Sequence, residues 1–301
     1  MLHCNFFPFL LLFCQSRLEV WQLLSKLLPL HLVWHSGFDS DPVVFQDLKS
    51  YLNRWVVSDP WNCFDKEVFS LEVSSSMVQF SSSTPREETR AFLAVPEAPG
   101  KHPGVIVIHE IWGLVDHIKD VSMRFARQGY VALAVDLFDG KTLTKLEDGH
   151  KLREQLTEEK ILADLNGGHA YLKSLKNVSP KRIGSIGFCM GGGLSLLFAC
   201  HNQEMAVAVV FYGRNPSPID LVKNVSCPVL CNYAGADLAI SETDINLLKN
   251  TLAKYGKTFD IKIYPGAPHG FFNDTRESYR PEAAKDTWER VLTFYGKYLK
   301  T

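Results

Sequence analysis

The chain has 301 residues, 46% of them hydrophobic, and a formal net charge of −1. That supplies enough apolar sequence for a large core, and with no basic stripe it excludes nucleic acid as the expected partner. Its seven cysteines, an odd number scattered along the chain, suit a reducing, cytoplasmic setting better than a disulfide framework.

In chain order, residues 1–60 read as an N-terminal extension of unknown role and residues 61–301 as one α/β domain. Phe6–Phe13 has the length of a signal-peptide core, yet no Lys or Arg precedes it and no small-residue cleavage site follows near Gln15, Ser16 and Arg17. It is too short to span a bilayer. Leu18–Val33 is apolar but interrupted by Pro29, and is compatible with packing on the core, with lying on a membrane surface, or with absence from the mature protein. An extension on a soluble enzyme is favoured over membrane contact through residues 1–35.

Short apolar runs then predict eight strands, at Val68–Val73, Ala91–Val95, Gly104–Ile108, Tyr130–Val135, Arg182–Gly187, Ala206–Phe211, Pro228–Tyr233 and Asp260–Tyr264. Between them, helical patterns run over His117–Gln128, Glu158–Leu175, Gly192–Ala199, Glu242–Tyr255 and Pro281–Leu299. The alternation predicts a mostly parallel sheet with helices on both faces. The Ser-rich stretch Ser74–Glu88 joins the first two strands as a hairpin-like opening, and the polar stretch Lys141–Thr157 reads either as a cap over a pocket or as a solvated loop.

The chemistry concentrates at strand ends. Gly187-Phe188-Cys189-Met190-Gly191-Gly192-Gly193 follows a strand and opens a helix, the pattern of a nucleophile elbow with sulfur in place of the usual hydroxyl. A thiol at a helix N-terminus feels the partial positive charge of the unpaired amides, which favours the attacking thiolate. An elbow nucleophile expects an acid and then a histidine downstream. Asp237, in a small-residue loop after a strand, and His269, in a Pro/Gly-rich loop after the last strand, supply them in that order. Asp244 is a rival acid, but it falls in the first turn of a predicted helix and reads as a solvated charge.

These segments, together with Val105-Ile106-Val107-Ile108-His109-Glu110-Ile111-Trp112-Gly113, resemble the dienelactone hydrolase family of α/β-hydrolases from about Asp65 to the C-terminus. The resemblance implies an α/β-hydrolase fold with about eight strands and a cysteine-dependent hydrolase of small ester or lactone substrates, working through a thioester. Cys189, Asp237 and His269 are its triad, and Glu110 lies beside the thiol. A carboxylate touching a thiol disfavours thiolate by repulsion, so Glu110 is expected to mask Cys189 until substrate displaces it. Backbone amides of Ile111 and Met190 are the expected oxyanion donors. His109 falls on the opposite face of its strand from Glu110 and reads as structural.

Substrate contacts are expected from Trp112, Phe138 and Arg276. The family's carboxylate-clamping arginines are absent from their matching positions: the loop Asp136–Lys141 carries none, and Asn273 stands four residues after His269. Lys141 and Arg276 are the nearby basic residues, although Arg276 also reads as a surface charge beside Asp274 and Glu277. No cofactor is implied. Metal is not expected either, because Cys227 and Cys231 have no matching Cys/His pair to complete a zinc site. A thioesterase or acyl-transfer enzyme, or a non-catalytic binding protein on the same scaffold, remains open, and oligomeric state is not readable.

Overall fold

A computed structural model describes residues 72–82 and 88–300. They belong to a compact unit bounded at Phe69. The expectations for residues 1–60 lie outside the described residues. Eight strands form one sheet: β1 (Val73–Ser81), β2 (Glu88–Pro96), β3 (His102–Ile108), β4 (Val131–Val135), β5 (Val178–Phe188), β6 (Val207–Phe211), β7 (Val229–Ala234) and β8 (Phe259–Tyr264). Their spatial order is β1-β2-β4-β3-β5-β6-β7-β8. β1 and β2 pair antiparallel, β2 runs antiparallel to β4, and all other pairings are parallel.

The central strands are near-continuous apolar runs because both faces are covered. Alternate residues go to opposite faces: Ile106 and Ile108 of β3 join one core, Val105 and Val107 the other. Helices α3 (Glu158–Ser174), α4 (Met190–His201) and α5 (Glu242–Lys254) cover the first face; α1 (Asp116–Arg127) and α6 (Pro281–Leu299) cover the second. Local signals set their starts. The Thr157 side chain accepts from Lys160 N at the head of α3, and Ser241 with Asp244 forms a capping box on α5. Asp244 is thereby accounted for as a cap. Tyr295 of α6 donates to the Ser185 carbonyl at 2.9 Å, fastening that helix under β5.

The first described strand, β1, runs along Val73–Ser81, through serines read as a connection, and most of the expected strand Val68–Val73 lies outside the described residues. It is an edge strand in which only Phe80 is fully buried, so the antiparallel ladder to β2 forms it without an apolar run. The polar stretch Lys141–Thr157 contains a helix, α2 (Leu146–Glu154). Gly149 is its buried residue, and a Cβ there would lie 2.6 Å from Ile111 Cγ1, so α2 packs against the loop after β3.

Candidate active site

Five strands end at one edge of the sheet and deliver polar side chains there: Glu110 after β3, Cys189 after β5, Tyr212 after β6, Asp237 after β7 and His269 after β8. Carboxyl ends of parallel strands are where open α/β sheets gather their ligand and catalytic groups.

Cys189 sits at φ 55° and ψ −115°, a conformation that L-residues adopt only when their surroundings force it. The surroundings here are a tight crossing of backbones. A Cβ on Gly187 would lie 1.8 Å from the Gly191 carbonyl oxygen, and one on Gly191 would lie 2.2 Å from that of Ile108. Cys189 N donates to Phe211 O at 3.0 Å, tying the turn to β6, while its carbonyl accepts from Gly192 N and Gly193 N. The side chain therefore stands proud of the sheet at the first turn of α4, half-buried and unpaired with any other cysteine.

His269 Nδ1 bonds Asp237 Oδ2 at 2.7 Å. The other Asp237 oxygen accepts from Ala239 N at 2.7 Å and Ile240 N at 3.2 Å. Burial works to raise the Asp237 carboxyl, but the His269 and backbone hydrogen bonds overcome it and hold the group below its usual range. Burial likewise works against the His269 imidazolium; the bond to Asp237 and the contact with the Cys189 sulfur prevail and raise it to about 10. With Nδ1 occupied by Asp237, Nε2 is the nitrogen left for the sulfur.

Tyr212, which the sequence reading passed over, packs against His269. Its ring lies 4.9 Å from the His269 ring, and burial first, then Glu110 and Cys189, hold its hydroxyl well above the usual tyrosine value. A Tyr-Gly pair directly after an apolar strand was the available signal.

Glu110 is only 3% exposed. Its Oε2 accepts from Asn273 Nδ2 at 2.6 Å. Burial raises its carboxyl, with Asn273, His269 and Arg276 in partial opposition. One oxygen of the Glu110 carboxylate thus bonds Asn273, while the Cys189 sulfur acts on His269. Asn273, known from the sequence only as a position lacking arginine, proves to be the partner of this buried charge.

His109 is structural, as read. Nδ1 bonds the Glu110 carbonyl at 2.6 Å and Nε2 accepts from Leu137 N at 3.2 Å, so both nitrogens are engaged, and burial lowers its pKa. The N–H of Met190, first in α4, has no intrahelical acceptor available. Among the described residues, no hydrogen bond engages the N–H of Ile111 either. Trp112 lies at this edge with the Arg276 guanidinium 4.1 Å above its ring. Arg276 is exposed, yet it acts on Glu110, which places it at the mouth of the cleft. Phe138 is corrected: at 2% exposure it packs edge-on against His109, leaving almost no surface for a ligand. Lys141 is exposed.

Among the described residues, no helix is long and apolar enough to cross a membrane. Comparison with known proteins agrees with this architecture. A "Putative carboxymethylenebutenolidase" from Saccharolobus solfataricus is 39% identical over 250 residues, covering 70% of this chain and 95% of that protein. One from Synechocystis is 37% identical over 226 residues, covering 69% and 92%. The crystal structure of a "Putative Dienelactone Hydrolase" from Klebsiella pneumoniae superposes with a TM-score of 0.70 at 30% identity, covering 75% of this chain and all of that one. The family model of the dienelactone hydrolases matches residues 89–299, and the chain belongs to that family of α/β-fold hydrolases.

Proposed function

We propose that the chain hydrolyses small carboxylic esters or lactones through a thioester on Cys189. The observation that carries this reading is the placement of the His269 imidazole, anchored by Asp237 at 2.7 Å and facing the sulfur of the strained elbow residue. The relatives named carboxymethylenebutenolidase point to the same class of bond.

The steps follow from the geometry. The Cys189 proton passes to His269 Nε2, and the thiolate attacks the carbonyl carbon. Negative charge moves to the carbonyl oxygen, where the N–H groups of Met190 and Ile111 are free to receive it. The carbon–oxygen bond breaks, and the His269 imidazolium protonates the leaving alkoxide; in a lactone that alkoxide stays tethered to the acyl group. Water, deprotonated by His269, then attacks the thioester, and the thiol is restored. Asp237 holds the imidazole in one tautomer and balances its charge throughout. No step requires a cofactor.

Arg276 over Trp112 offers a cation at the mouth of the cleft for substrates that carry a carboxylate. We assign the catalytic domain to residues 61–301. The buried free thiols Cys200, Cys227 and Cys231 favour a reducing, cytoplasmic location. The test is hydrolysis of p-nitrophenyl esters and small lactones by the native protein and by Cys189→Ala. Loss of at least about a thousandfold is expected; equal rates refute the assignment.

A further inference from the structure

His109 is fully buried just past β3, and both of its ring nitrogens are engaged. Nε2 lies 3.2 Å from the N–H of Leu137, just beyond the neighbouring β4, and can only accept from it, so Nε2 carries no proton. The proton of the neutral ring is then on Nδ1, which donates to the Glu110 carbonyl at 2.6 Å. Burial favours that neutral form, since it lowers the pKa of the imidazole.

The carbonyl that receives this bond belongs to the same peptide as the N–H of Ile111. That peptide is trans, and in a planar trans peptide the C=O and N–H point in opposite directions. Holding one therefore aims the other. Gly113 N also reaches the Glu110 carbonyl, as the closing bond of a turn, but at 3.3 Å it is the looser hold. Among the described residues, nothing takes up the Ile111 N–H. The nucleophile elbow lies alongside: a Cβ on Gly191 would come within 2.2 Å of the Ile108 carbonyl oxygen and 2.6 Å of that of His109. A reversed peptide would present the Glu110 carbonyl where the amide is needed, replacing a donor with the negative end of a dipole.

We infer that His109 is a positioning residue of the oxyanion site: by donating to the Glu110 carbonyl it holds the Glu110–Ile111 peptide in the orientation that leaves the Ile111 N–H open to the oxygen of the reacting carbonyl. It acts through the peptide and transfers no proton. This deepens the functional reading above and rests on it.

Two substitutions separate aiming from space filling. His109→Leu keeps an apolar side chain of similar bulk but has no donor. His109→Asn is smaller, yet its Nδ2 stands close to where Nδ1 does. Both leave Leu137 N without its acceptor, so that loss cancels between them. With the full chain and p-nitrophenyl acetate, His109→Leu is expected to lower kcat about a hundredfold, the cost of one oxyanion donor, with KM nearly unchanged because the oxyanion forms only on the way to the transition state. His109→Asn is expected to stay within about tenfold of native. A packing role gives the opposite order, since Asn leaves the larger void.

A second measurement needs neither turnover nor a variant, and decides the matter if neither variant folds. Nitrogen-15 NMR of the native protein, with the ring of His109 assigned through its own backbone, is expected to show a protonated Nδ1 and a bare Nε2. The inference is overturned if His109→Leu turns over like native, if His109→Asn falls as far as His109→Leu, or if His109 carries its proton on Nε2. Undiminished turnover in Cys189→Ala instead removes the functional reading, and this inference with it, whatever the tautomer.

Discussion

The two carboxylates of the candidate site are treated in opposite ways. Asp237 has three donors, two of them backbone amides, and its carboxyl is held low. Glu110 has one neutral side-chain donor and is almost fully buried, and its carboxyl is raised. The same functional group thereby becomes a fixed negative charge behind His269 and a group easily protonated beside Asn273. Environments that push two acids apart are how one site assigns them separate tasks.

The largest expected break in this comparison is on the Asp237 side. Asp237→Asn leaves His269 without its charge partner and lowers kcat/KM by about a thousandfold or more; steady-state kinetics on a p-nitrophenyl ester checks this. In the native enzyme, activity holds into the acid range because Asp237 stays ionised, and falls at high pH as His269 loses its proton near 10. In Asp237→Asn the high-pH limb moves down. Linkage carries the same sign: the folded histidine binds its proton more tightly than the unfolded one. Its contribution to stability is complete below about pH 6.5 and is lost as pH rises through about 10.

Much of this side of the site was legible in the sequence. The elbow glycines, and an aspartate and a histidine placed just past apolar strands, are local signals, and the central strands announce themselves because burial on both faces leaves continuous apolar runs. What escaped lacks such a signal. β1 is held by backbone pairing at an edge, so Ser74, Ser75 and Ser76 carry no trace of it. The partnership of Asn273 with Glu110 joins residues 163 apart and depends on Thr275 turning the amide.

The next effect separates the two acids by sign. Asp237→Asn destabilises the fold at neutral pH, and the loss disappears as pH falls through the Asp237 titration. Glu110→Gln does the reverse. It removes a charge that burial penalises while leaving an acceptor for Asn273, so it raises the thermal midpoint by about 2–4 °C per kcal/mol gained. That gain is present above the Glu110 titration and vanishes at low pH, where Glu110 is neutral in both states. Thermal scans of both variants from acid to neutral pH test it; shifts of the same sign remove the distinction.

Gly191→Ala sharpens the comparison geometrically. Its Cβ meets the Ile108 carbonyl, just before Glu110, and forces the elbow away from β3. Displacement on the order of 1 Å costs about a hundredfold in turnover, measurable on the folded fraction of the variant.

The smallest effect is at the rim. Arg276→Ala removes an exposed stack on Trp112 worth about 0.5–1 kcal/mol. It raises KM for esters bearing a carboxylate several-fold and leaves neutral esters nearly unchanged; equal changes for both exclude Arg276 from substrate recognition.

The nucleophile itself is tested most directly by trapping the acylated protein. p-Nitrophenyl acetate mixed with His269→Asn, quenched in acid and digested, is expected to leave an acetyl group on the peptide containing Cys189, labile to hydroxylamine as a thioester is. Acetyl found on another residue, or ester turnover by the native protein with Cys189 never acylated, contradicts the account.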